Sequence, residues 1–121
     1  MNKRRLKKIS NQIKQIVSDL IMQEKIKDYR VDTLVSITDV ETTDDLRYCY
    51  IYVSHLKDDM EKAAETLAGL KSAKGFVRRE IGKVISLQYT PEPVFRLDNS
   101  IKKGMKIEEI LQGLKNEKED N

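Results

Sequence analysis

The sequence predicts one α+β domain in the order α-β-β-α-kink-α-β, a three-stranded mixed sheet with helices packed on one face. Three observations carry this reading. The apolar period changes from three-and-four to two beyond Val31 and returns to the helical period near Met60. Two strand-like runs flank a short polar turn, which favours an antiparallel hairpin. A helical stretch then separates the second strand from the third, so the third is expected to run parallel to it through a crossover. At 121 residues the chain has room for one modest core and not for two.

Each element follows from its own pattern. Leu6, Ile9, Ile13, Ile16, Val17, Leu20 and Ile21 recur at spacings of three and four, which predicts a long amphipathic helix over about 3–26. Arg4, Lys7, Lys8 and Lys14 fall on its opposite side, and Lys3 and Arg5 join them at its start. Cations in the first turns oppose the helix macrodipole, at a cost of a few tenths of a kcal/mol each, so local stability does not explain the cluster. Leu34 to Glu41 reads as a strand, Thr42-Thr43-Asp44-Asp45 as a turn and Leu46 to Ser54 as a second strand. Strict alternation there sends Cys49, Ile51 and Val53 to the core and Tyr48, Tyr50 and Tyr52 to the other face.

Asp58, three residues before Glu61, resembles a helix N-terminal capping arrangement. Met60, Ala63, Ala64, Leu67 and Leu70 then mark a helix over about 59–72, and Phe76, Val77, Ile81, Val84 and Ile85 another to about Ser86. The apolar stripe does not run smoothly across Ser72-Ala73-Lys74, and Gly75 follows, so a kink is expected there. Pro91 and Pro93 end the next loop, and Val94 to Leu97 is a short third strand. Ile107, Ile110, Leu111 and Leu114 suggest a short helical turn. The domain is expected to span 1–114 and a flexible acidic tail 115–121.

Composition removes several classes of function. No apolar run is long enough to span a membrane, and the basic N-terminus lacks the apolar core of a secretory signal. A lone Cys49 cannot form an internal disulfide and fits a reducing, cytoplasmic setting. His55 is the only imidazole and reads as a surface loop residue at a strand end, while Asp44-Asp45 and Asp58-Asp59 read as turn and cap residues. No metal-ligand spacing, phosphate-binding glycine loop or nucleophile–base set is present in the sequence, so neither catalysis, a metal nor a cofactor is expected.

Charge is more informative than its net value of +3 suggests. Residues 1–30 carry +6, residues 31–70 carry −6, residues 71–106 carry +6 and the remainder −3. Such blocks are either solvated faces or two basic segments converging on a polyanion. The Tyr48/Tyr50/Tyr52 row allows base stacking, but with only Arg47 close by it reads better as cross-strand packing. In the kink segment, Val77, Ile81 and Val84 are expected to face inward, with Gly75, Arg79, Gly82 and Lys83 outward and Arg78 flanking. Lys71, Ala73 and Lys74 complete that surface. Glycines permit close backbone approach, and a helix start offers amide groups to phosphate.

Helix–kink–helix between strands resembles a type II KH domain, an RNA-binding fold. The usual GxxG loop is absent, and Ala73-Lys74-Gly75 is similar to the AxG kink of the bacterial ribosome-binding factor A family. The basic first helix, DLRYCYIYVS at 45–54 and PEPVFRLDNSIKKGMKIEEIL at 91–111 resemble that family in the same order, so the likeness covers the chain to about residue 114. It implies a monomeric, non-catalytic assembly factor that binds free small ribosomal subunits (pre-30S particles and their 16S rRNA) and supports late maturation of the 5′ end of that rRNA. It also implies a link to growth in the cold. A protein–protein adaptor using the tyrosine face or acidic block, and a nonspecific nucleic-acid binder, are the competing readings.

Overall fold

A computed structural model of the chain describes residues 2–57 and 59–98; the turn expected near Ile107, the acidic tail and Asp58 lie outside them. Helix α1 spans Lys3–Met22, and Asn2 caps it by accepting the Arg4 amide at 2.8 Å. It stops four residues short of the expected end. The Lys25 amide donates to the Leu20 carbonyl and the Glu24 amide to that of Ile21, with Glu24 at φ 54°. That is a Schellman motif with glutamate in the left-handed position usually taken by glycine. Ile26, in phase with the helical stripe, is buried from the loop that follows.

Strands β1 (Val35–Thr42) and β2 (Tyr48–His55) pair antiparallel, and β3 (Glu92–Leu97) pairs parallel with β2, in the order β1-β2-β3. A register shift between Ile37 and Asp39 changes the phase of β1, so that Val35, Ile37 and Val40 are all buried. Helices α2 (Met60–Ser72) and α3 (Lys74–Val84) form the crossover. Ile13 and Val17 of α1, Ile51 of β2, Leu70 of α2 and Val77 and Ile81 of α3 have no solvent exposure. One sheet face therefore packs against all three helices, and the expected mixed three-stranded architecture is the one observed.

Three local expectations are corrected. The cap of α2 is Asp59, whose carboxylate accepts the amides of Glu61 at 2.9 Å and Lys62 at 3.5 Å. Val84 is 66% exposed, because α3 ends there and Ile85 turns extended into the core in its place. His55 is not a surface residue, since its side chain is 1% exposed. Its Nε2 lies 3.0 and 3.1 Å from the two Asp32 carboxylate oxygens, and its Nδ1 accepts the Lys57 amide at 3.2 Å. An accepting Nδ1 leaves the ring proton on Nε2, which donates to Asp32 and ties the end of β2 to the loop entering β1.

Candidate nucleic-acid interface

Ala73 alone separates α2 from α3, at φ −92° and ψ 4°. Its amide donates to the carbonyls of Gly69 and Leu70 at 3.1 and 3.0 Å, and its carbonyl accepts the Val77 amide at 3.0 Å. The chain is redirected within one residue while hydrogen bonding runs through the bend. No glycine in the described chain has positive φ.

The three glycines near the kink differ in what surrounds them. A Cβ on Gly75 would meet nothing within 4 Å, so the space over it is open to an approaching molecule. Gly82 is exposed on the outward side of α3 as expected, but a Cβ there would lie 2.9 Å from Thr90 Oγ1, so the position also lets the α3–β3 loop pack closely. Gly69 lets the α1–β1 loop settle on α2, with Val31 Cγ2, Arg30 Cβ and Asp28 Oδ1 within 3.1 Å of where a Cβ would be.

The cations around the kink are unequally committed. The side chains of Arg79 and Lys71 have no hydrogen-bond or ion-pair partner among the described residues. Lys74 Nζ sits 3.1 Å from Glu92 Oε1, and Lys83 Nζ 2.9 Å from Glu80 Oε1. These exposed pairs are weak and a polyanion can compete for both lysines. Arg78 donates from Nε to the Thr90 carbonyl at 3.0 Å. Lys71 and Lys74 line a cleft of about 260 Å³ against Glu92, Pro93, Val94 and Phe95.

The first basic segment is divided by its own helix. Arg4, Lys7 and Lys8 line a shallow groove with Asn11, Gln12 and Gln15 on the solvent face of α1. Lys3 and Arg5 are exposed beside it, and Lys14 reaches toward β1, 3.5 Å from the Thr38 carbonyl. At about 1.5 Å per residue, Lys8 lies roughly 20 Å along the helix axis from its C-terminal end. Besides Arg30, which is held by Asp28, the residues of this segment that reach the kink are Lys25 and Lys27, which line a cleft of about 300 Å³ with Asp28, Ser72, Ala73 and Phe76. Sequence reasoning passed over both. Their only signal was membership of the basic block ahead of the first strand, because nothing in the sequence shows the loop folding back onto α2.

The open sheet face is poorly suited to a polyanion. Tyr52 lies between Asp39 of β1 and Arg96 of β3, Tyr50 between Glu41 and Val94, and Tyr48 is paired with Glu92. The Arg96 guanidinium lies 4.3 Å from the centroid of the Tyr50 ring, so the one cation of this row is already stacked. Cys49 is fully buried and its thiol is pushed up to about 12 by burial, which leaves it unreactive. Among the described residues no helix is long and apolar enough to cross a membrane.

Comparison with known proteins identifies the family and the fold. The family model described as ribosome-binding factor A matches residues 5–111. The chain is 50% identical over 115 residues to ribosome-binding factor A of Caldanaerobacter subterraneus subsp. tengcongensis, covering 94% of this chain and 93% of that one. A candidate ribosome binding factor A of Thermotoga maritima, solved by NMR in solution, superposes with a TM-score of 0.68 at 30% identity, covering 79% of this chain and 89% of that one. A homology model of the Thermus thermophilus factor, fitted into the cryo-EM map of a 30S–RbfA complex, gives a TM-score of 0.58 at 17% identity over 74% of this chain and 91% of that one. A match over nearly the whole described fold, with half the residues identical to a full-length relative, establishes that this chain belongs to the ribosome-binding factor A family.

Proposed function

We propose that this protein is a cytoplasmic, non-catalytic assembly factor that binds the free 30S subunit through its 16S rRNA and supports late maturation and 5′ end processing of that rRNA. The contact surface is the kink, with Lys71, Ala73, Lys74, Gly75, Arg78, Arg79 and Lys83. The α1 face with Lys3, Arg4, Arg5, Lys7, Lys8 and Lys14 is a second, separate contact. The observation that carries this reading is the open space over Gly75 beside Arg79 and Lys71, neither of which has a partner in the described chain. Phosphate contacts position such a protein and give it affinity without any catalytic group. A non-catalytic role is also supported by the chemistry of the described residues. Their one imidazole is buried against Asp32 and their one thiol is held protonated.

Sedimentation of a cell lysate tests this. The protein should migrate with free small subunits and be depleted from full ribosomes. A double Arg79→Glu, Lys83→Glu variant should fold normally and lose most of that association, with the salt slope reduced by roughly 0.7–0.9 for each lost phosphate contact. Equal association with all RNA and DNA would make the protein a nonspecific binder. Migration unconnected with RNA would make it an adaptor.

A further inference from the structure

We propose that the α1–β1 loop carries a second RNA subsite, in which Tyr29 stacks on one unpaired base while Lys25 and Lys27 hold the adjoining phosphates. This deepens the rRNA-binding reading and rests on it, but it concerns residues outside the kink surface described above.

Tyr29 is 94% exposed, more than any other large apolar or aromatic side chain of the described residues. Exposed single aromatics are ordinary on mobile loops. This loop is instead pinned on every side. Asp28 Oδ1 and Oδ2 accept from Arg30 Nε and Nη2 at 2.9 and 2.8 Å, and Arg30 Nη2 also donates to Ser72 Oγ at 3.2 Å. The Arg30 carbonyl accepts from Thr66 Oγ1 at 3.2 Å, and the Val31 amide closes a turn onto the Asp28 carbonyl at 3.0 Å. The close approach at Gly69 adds van der Waals contact beneath it. The backbone on both sides of Tyr29 is thus fixed to α2, while its own ring remains in solvent.

The electrostatic setting selects the ligand. The ammonium groups of Lys25 and Lys27 have no partner among the described residues, and both side chains line the cleft with Ala73 and Phe76. The one acid in that cleft, Asp28, is neutralised by Arg30, whose guanidinium lies 6.0 Å from the Tyr29 ring centroid. By contrast, Tyr48 pairs with Glu92, and the Tyr50 ring is covered by Arg96. An exposed aromatic face on an anchored backbone, beside two free cations, suits a single-stranded nucleotide, because every base has a face to stack while a paired base does not expose one. With the flanking backbone already anchored, binding has only the side chain of Tyr29 left to order.

The test uses the full chain and an unstructured mixed-sequence RNA decamer, with a duplex of the same sequence as control. Tyr29→Ala should weaken decamer binding by roughly 5- to 150-fold, the range of one base–aromatic stack. Tyr29→Phe should restore it, duplex binding should be unaffected, and Lys25→Ala with Lys27→Ala should lower the salt slope by roughly 0.7 per residue. Because the chain contains no Trp, Tyr29→Trp installs a single reporter whose fluorescence the decamer should quench. Unchanged decamer affinity for Tyr29→Ala, or an unquenched Trp, would overturn the proposal. So would a Tyr29→Ala defect in subunit binding without any defect on RNA, which would assign the ring to a ribosomal protein. If Tyr29→Ala is without effect while the Arg79→Glu, Lys83→Glu variant still loses free subunits, this subsite falls and the assembly-factor reading stands. If the unaltered protein ignores free subunits, the assembly-factor reading falls with it.

Discussion

Gly75→Ala adds one methyl group in the first turn of α3, where the backbone has no positive φ and no atom lies within 4 Å of the added carbon. Inside the chain the change therefore has only its helix-propensity effect. Alanine is favoured over glycine in a helix by about 0.5–1 kcal/mol, and a first-turn position should give the lower end of that range. For a domain of this size, about 0.5 kcal/mol corresponds to a melting temperature about 2 °C higher. Association with free small subunits should move the other way, because the methyl occupies the space through which, on the proposed reading, an RNA backbone approaches the kink. Thermal unfolding followed by circular dichroism and sedimentation of the same variant give the two readouts. A lower melting temperature would show that the kink itself requires glycine, contrary to the geometry of Ala73 and Gly75. Unchanged association would show that the ligand does not use the open space over Gly75.

Gly69→Ala should do the opposite to stability, because its Cβ meets Val31, Arg30 and Asp28 at 2.9–3.1 Å. Overpacking of this kind typically costs about 1–3 kcal/mol, and an unchanged melting temperature would mean that the α1–β1 loop is not seated as described. Glu24→Gly should stabilise by roughly 0.5 kcal/mol, since glycine removes the left-handed penalty at φ 54° and returns part of the gain as unfolded-state entropy; a clear loss of stability in chemical denaturation would contradict the Schellman ending of α1. Hydrogen bonds from Arg30 hold the Asp28 carboxyl down at about 2, against 3.8 for the free group. A depressed carboxylate stabilises the fold fully above its unfolded value and loses that contribution as pH falls through the folded value. The loop should therefore loosen between about pH 4 and pH 2, visible in the amide resonances of Tyr29 and Val31, and Asp28→Asn should remove that part of the acid transition.

The elements that sequence periodicity placed well are those where one strong pattern had no competitor. Cys49, Ile51 and Val53 alternate without interruption, so the face of β2 and its parallel partner followed. The same alternation extended by one step reaches His55, which is buried. Reading the strand as finished at Ser54 left that residue on the surface, because a histidine at a strand end satisfies composition rules for loops equally well. Ile26 misled in the reverse direction. It keeps the helical phase and is buried, yet a Schellman motif at Glu24 had already ended α1. A glycine at position 24 would have announced that stop, and glutamate conceals it. The capping aspartate of α2 was ambiguous between two consecutive aspartates, and only the amides of Glu61 and Lys62 distinguish Asp59.

Charge patterning shows most sharply what one dimension cannot carry. Blocks of like charge record which residues are basic, whereas convergence depends on how far rigid elements hold them apart. A 20-residue helix is a rod of about 30 Å, so the cations at its start and the cations of the loop at its end cannot serve one small patch. Arg4, Lys7 and Lys8 accordingly form their own groove, and Lys25 and Lys27 reach the kink from the far end of the same basic block. The acidic block that follows, residues 31–70, is equally divided. Asp28, just ahead of it, and Asp32 within it are spent on Arg30 and His55, while Asp39 and Glu41 line the tyrosine face away from the helices. The sheet face is left acidic and the kink is left with unpaired cations. On the proposed reading, repulsion from the sheet and attraction to Lys71 and Arg79 together would steer a polyanion to the kink.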